Sequence, residues 1–174
     1  MRLLKAGFKH KKLCALRLQS HRVHREVIAR VVSDFVPQWI PNARVLFARG
    51  QTRTEKAVRS LGRFCQLDVA TCRDLPDAVV FSETKNRLFL IEAVHSSGPV
   101  STARRKELCE LTKGCSAEIV YVTALLDRGT FRKFILEMAW ETNVWFAEDP
   151  EHMIQFDGER LLGPYPDTVR GATA

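Results

Sequence analysis

The stretch from Leu75 to Ser101, LPDAVVFSETKNRLFLIEAVHSSGPVS, constrains the fold more than any other part of the chain. Two short apolar runs, Ala78–Phe81 and Leu88–Val94, flank a polar insert, Ser82-Glu83-Thr84-Lys85-Asn86-Arg87. Runs of that length bounded by turn-forming residues read as a strand, a turn and a second strand. Asp77 stands at the mouth of the first strand, just after Pro76, and Glu92 interrupts the second. A carboxylate inside a buried strand is costly unless something positive satisfies it. Two of them on neighbouring strands are satisfied together by one divalent cation, and a hard ion such as Mg²⁺ binds through one or two carboxylates plus substrate phosphates. Side chains alternate along a strand, so Glu92 shares a face with Val94, while Ala93 and His95 take the other.

Pro-Asp, a turn and an apolar strand carrying Glu form a pattern that resembles the PD-(D/E)XK nuclease signature. Three further segments extend the likeness: Phe89-Leu90-Ile91-Glu92-Ala93-Val94 with Ser97-Gly98-Pro99-Val100, then Trp140-Glu141-Thr142 with Val144-Trp145, then His152-Met153-Ile154 through Gly158-Glu159-Arg160 to Gly163-Pro164-Tyr165. Together they resemble the catalytic region of the BsuBI/PstI family of type II restriction endonucleases, from about His24 to Tyr165. The resemblance implies a restriction-endonuclease-like α/β fold, a mixed β-sheet flanked by helices. It implies hydrolysis of double-stranded DNA with Mg²⁺, a homodimer, a cytoplasmic setting and a cognate DNA methyltransferase encoded nearby. It divides the chain into a basic arm or remnant of an upstream DNA-binding region (1–19), a catalytic domain (20–165) and a tail (166–174).

Composition agrees with this division. A chain of 174 residues, 45% of them apolar, suits one domain with a sizeable core. No apolar run approaches the roughly 20 residues of a membrane span. Five cysteines without a CxxC pair fit neither a disulfide framework nor a zinc site, and read as reduced thiols. The net charge of +7 is uneven: Met1–Arg25 holds eight Lys or Arg and no acid, which leaves 19 basic against 20 acidic residues elsewhere. A basic head of this kind suits a phosphate-touching arm, a short helix belonging to an upstream domain, or a transit peptide, although Ser and Thr are scarce in it.

Ser20–Phe35 is expected to be a helix, because Val23, Val27, Val31 and Phe35 recur every four residues. Glu26 lies four residues from both Arg22 and Arg30, as in a solvated ion-pair ladder; the nuclease likeness instead makes it a third acid of the site. Ala43–Ala48 is a short strand, followed by a turn dense in cations, where Arg49, Arg53 and Lys56 are candidates to grip phosphates. Gln51 stands where the family tends to carry Asp. Ala57–Gln66 is weakly helical. Val94 occupies the place of the superfamily's lysine, as it does in the family, so the positive charge is expected from the helix after Ser101 or Thr102, through Arg104, Arg105 or Lys106. Ala103 stands where the family tends to carry Lys. Beyond lie a buried strand (Glu118–Thr123), a helix (Gly129–Glu141), a strand (Asn143–Ala147) and a final hairpin (His152–Phe156 with Glu159–Leu162). Trp140 and Trp145 are expected to be packing residues, with base-stacking platforms as the alternative.

The site therefore comprises Asp77 and Glu92 as metal ligands, Arg104 and Lys106 as catalytic cations, Glu26 as an additional acid, and Arg49, Arg53, Lys56 and Arg105 as DNA contacts. Two readings compete with the nuclease: the same fold binding DNA without cutting it, and a non-enzymatic α/β module in which Glu92 is merely hydrogen-bonded.

Overall fold

A computed structural model of the chain describes residues 20–51, 62, 75–95 and 98–157. The apolar runs become strands of one mixed six-stranded sheet with the order β1-β2-β3-β4-β5-β6. They are β1 (Arg44–Ala48), β2 (Ala78–Ser82), β3 (Arg87–Val94), β4 (Glu118–Leu125), β5 (Thr142–Phe146) and β6 (Met153–Phe156). The first three strands are antiparallel, β3, β4 and β5 are parallel, and β6 returns antiparallel to β5. Thus 153–156 pairs with the strand before it; 159–162, the expected second arm of a terminal hairpin, lies outside the described residues, as do Ala57–Gln66, Arg53 and Lys56.

A helix, α1, runs over residues 20–30 and continues through a π-helical turn, Val31–Phe35, into Val36–Trp39. Pro37 lacks the N–H that a regular helix needs, and its ring crowds the carbonyl four residues back. The wider turn ahead of it lets the chain continue past the point where the sequence pattern ends the helix. Val27, Ile28, Val31 and Phe35 are buried on one sheet face with Ala78, Val80, Ile91, Ala93, Val122, Ala124 and Trp145. Val23 stays half-exposed.

The opposite face is covered by α2 (Thr102–Leu111) and α3 (Arg128–Phe134). Ser101 caps α2, its Oγ accepting from the Arg104 N–H at 3.2 Å. Under α2 lie Val79, Phe81, Leu88, Leu90, Leu108 and Tyr121, and under α3 lie Val94, Leu125, Val144 and Phe146. A bulge between Val45 and Phe47 turns both Leu46 and Phe47 into the α2-side cluster.

The helix expected to reach Glu141 ends early. A 3₁₀ turn, Ile135–Glu137, follows α3, and Met138 then turns extended to bridge Ser101 while the Ala139 N–H donates to the Val100 carbonyl. Met138 and Ala139 are buried, but Ile135 is exposed. Trp140 corrects the reading from residue type: it is 67% exposed, although its ring still contacts Phe156. Trp145 packs as expected, fully buried edge-on to Phe35, with Nε1 donating to the Pro150 carbonyl.

Candidate active site

Strand register builds the site. Ala78 faces Ile91 across the β2–β3 pair, so one step further Asp77 lies opposite Glu92. Residues directly opposite in an antiparallel pair share a face. On the outer side the Arg49 N–H donates to the Asp77 carbonyl at 2.8 Å, and on the inner side Glu92 is level with Thr123 of β4. Arg49, Asp77, Glu92 and Thr123 thus form a row across four strands at one end of the sheet.

Asp77 is buried and fully engaged. Its Oδ1 accepts from Arg49 Nε at 2.6 Å, and its Oδ2 accepts from the Ala93 N–H and from His24 Nε2, each at 3.0 Å. Arg49 also donates to the Leu75 carbonyl, 2.7 Å away. Burial by itself pushes the Asp77 carboxyl up; the His24 hydrogen bond and charge, the Ala93 amide and Arg49 outweigh it and hold the pKa below the usual value. Conversely, the hydrogen bond to Asp77 raises His24 against the effect of burial.

Glu92 is balanced the other way. Burial raises its pKa to about 7; the attraction of Arg104 opposes the rise and the negative charge of Asp77 adds to it. That repulsion marks the two carboxylates as neighbours. Arg104 Nε donates to Glu92 Oε1 at 2.8 Å and Nη1 to Glu107 Oε2 at 2.8 Å. Of the three cations that the start of α2 offers, Arg104 is the one that reaches Glu92 among the described residues. Val94, two residues beyond Glu92, is wholly buried among Leu125 and Val144. Thr123, also wholly buried, accepts the Val100 N–H on Oγ1 at 3.1 Å. This bond ties down the segment that leads into the cap of α2 and so aims Arg104.

Other expected residues lie elsewhere. Glu26 is on the exposed side of α1 and, among the described residues, makes no ion pair; Arg30 pairs with Asp34 instead and donates to the Ala147 carbonyl. Lys106 is exposed on α2 and contacts neither carboxylate among the described residues. Arg105 turns to the other flank of α2, where it pairs with Glu141 and lies 5.4 Å from the Tyr121 ring centre. His95 is half-exposed at the end of β3. His24 is the residue that sequence reasoning missed. Its signal is spacing: it precedes the buried Val27, Ile28 and Val31 by one and two turns, which puts it on the inward stripe of α1.

Among the described residues no three His, Cys, Asp or Glu side chains gather into a metal cage. The donor set is a pair of hard carboxylates on rigid strands, which suits an ion that takes its remaining ligands from substrate and water. Glu92, whose charge burial penalises, would gain from such an ion.

Residues 12–159 match the BsuBI/PstI restriction endonuclease domain. The chain belongs to the BsuBI/PstI restriction endonuclease family. Within that family it is similar to the type II restriction enzyme BsuBI of Bacillus subtilis, at 38% identity over 148 residues, 82% of this chain and 45% of that protein. It is also similar to the type II restriction enzyme AplI of Arthrospira platensis, at 32% identity over 89 residues, 51% of this chain and 28% of that protein. The structure of SdaI restriction endonuclease superimposes with a TM-score of 0.68 at 32% identity, covering 82% of this chain and 45% of that one. The chain thus spans about half or less of the length of these relatives. The BsuBI/PstI likeness of the sequence and the restriction-endonuclease-like mixed sheet are both borne out. Among the described residues no helix is long and apolar enough to cross a membrane.

Proposed function

We propose that this chain acts as the catalytic part of a type II restriction endonuclease that hydrolyses a phosphodiester of double-stranded DNA with Mg²⁺. The observation that carries the proposal is the Asp77–Glu92 pair, set side by side at the ends of β2 and β3, with Arg104 on Glu92. Asp77 and Glu92 would hold the ion, helped by a backbone carbonyl of β3. When bound, Mg²⁺ supplies a polarised phosphate oxygen and a water of lowered pKa. Arg104 brings a guanidinium to the carboxylates, where it would meet the charge that develops on the phosphate. Arg49, and further along the sequence Arg53 and Lys56, would supply positive charge for the DNA backbone, so binding should weaken steeply with salt. A palindromic target calls for two copies of the chain related by a two-fold axis. A restriction role places the protein in the cytoplasm beside a DNA methyltransferase that protects the same site.

The second reading, DNA binding without cleavage, is favoured by one feature: the Asp77 carboxylate already has an Arg49 guanidinium and the His24 imidazole as partners. Incubation with mixed-sequence plasmid and Mg²⁺ separates the two. Cleavage that disappears in Asp77→Ala and Glu92→Gln supports the endonuclease. Salt-sensitive retention of DNA without cutting supports the second reading. No affinity for DNA at low salt removes both.

A further inference from the structure

The first helix contributes an imidazole to the site, and its placement is specific. His24 sits on the inward stripe of α1 with its side chain only 22% exposed, and its Nε2 lies 3.0 Å from Asp77 Oδ2. An ionised carboxylate only accepts, so the imidazole nitrogen is the donor, and the two oxygens offer about four acceptor positions in all. Oδ2 receives both His24 Nε2 and the Ala93 amide, whereas Oδ1 receives Arg49 Nε. The three donors differ in where they are set. The Ala93 amide is part of a strand and His24 is set on a helix packed against the sheet, while the Arg49 side chain is 48% exposed. Among the described residues, Oδ2 thus receives two donors set on packed elements, and Oδ1 receives one, from a half-exposed side chain.

Resting on the reading of Asp77 as a metal ligand, we propose that His24 is a positioning residue: its Nε2–H occupies Asp77 Oδ2 and fixes the carboxylate plane, so that Oδ1 is the oxygen presented to the cation. The role resembles that of groups behind the ligands in metal sites generally, whose loss typically weakens metal affinity by about 10- to 100-fold. It also explains why Glu26 can face solvent: the place beside Asp77 on α1 is taken by a donor.

The test is Mn²⁺ affinity of the full chain without DNA, by titration calorimetry and by electron paramagnetic resonance of the free ion. Three variants are compared with the wild type: His24→Gln, which keeps a side-chain N–H at similar reach; His24→Met, of similar size without a donor; and Asp77→Asn. Thermal melts establish that each is folded. The expected result is that His24→Met weakens Mn²⁺ binding by about tenfold or more and His24→Gln recovers to within about threefold of wild type. Unchanged affinity in His24→Met overturns the proposal, and so does an equal loss in both His24 variants, since a donor would then not be what matters. Asp77→Asn that binds Mn²⁺ like wild type overturns the ligand reading and the proposal together; loss in Asp77→Asn with none in His24→Met overturns the role of His24 alone. Should His24→Met fail to fold, ¹⁵N spectra of the wild-type imidazole decide. An Nε2 that stays protonated on saturation with Mg²⁺ supports the proposal, and one that loses its proton to solvent and takes the ion as a ligand overturns it.

Discussion

Glu92→Gln tests the electrostatics of the site directly, through stability and without substrate. Burial raises Glu92 from 4.5 to about 7, the attraction of Arg104 notwithstanding. A group that binds its proton more tightly when folded loses stability as pH rises between the two values, because the unfolded chain releases the proton first. The penalty is therefore absent below pH 4.5, grows between 4.5 and about 7, and is constant above. At about 1.4 kcal/mol for each tenfold change in proton affinity, it amounts to about 3 kcal/mol, a large share of the roughly 5–15 kcal/mol that holds a domain together. Gln has nearly the same shape, still offers Arg104 an oxygen and does not titrate. The stability of Glu92→Gln relative to wild type should therefore climb by about 3 kcal/mol from acid to neutral pH. Asp77, held low, contributes stability that is present above 3.8 and fades as pH falls through its folded value. His24, held high, contributes stability that is present below 6.5 and fades as pH rises through its folded value. The Glu92 charge also helps to raise His24, so the difference reports Glu92 together with that coupling. Urea denaturation in EDTA across this range measures it without adding salt. A difference that stays flat to within about 0.5 kcal/mol from pH 4 to pH 8 would falsify the claim that a buried charge is penalised here.

Three further expectations follow from named contacts. Arg104→Met removes the attraction that holds Glu92 down; the midpoint of the Glu92 titration, followed by carboxyl NMR, should move upward, and a downward shift or none contradicts the pairing. Thr123→Val deprives the buried Val100 amide of its acceptor, which should cost about 1–3 kcal/mol in urea melts and lower plasmid cleavage by loosening the approach to Arg104. Trp145→Ala empties a wholly buried site against Phe35 and should cost about 3–5 kcal/mol, whereas Leu136→Ala, at a side chain 97% exposed, should stay within about 0.5 kcal/mol of wild type.

Much of this fold is written locally. The hairpin around Asp77 and Glu92 is legible because its arms are adjacent in sequence and their alternation dictates which side chains share a face; the register Ala78 to Ile91 realises that pattern. The strand Glu118–Leu125 is legible for the same reason, as an unbroken apolar and β-branched run between helices. The end of α3 is less so: nothing in FRKFILEMAW signals a stop, and the helix gives way because Met138 and Ala139 find backbone partners at Ser101 and Val100. Trp140 is misjudged because residue type records an affinity for the interior, not whether a place in it remains once the chain has turned.

The amino-acid order alone determined the strand pattern and the two acids fifteen positions apart, since both follow from periodicity and from the cost of burying charge. Tertiary structure decided which partners those acids meet. Arg104, Arg105 and Lys106 are consecutive on a helix and point in three directions, and only the docking of α2 through Thr123 and Ser101 selects the first. His24 and Glu26 differ by two positions on α1, and only the packing of that helix against the sheet turns the imidazole inward and the carboxylate out. A side chain's chemistry is local; its neighbours across tens of residues are settled by how the layers close on one another.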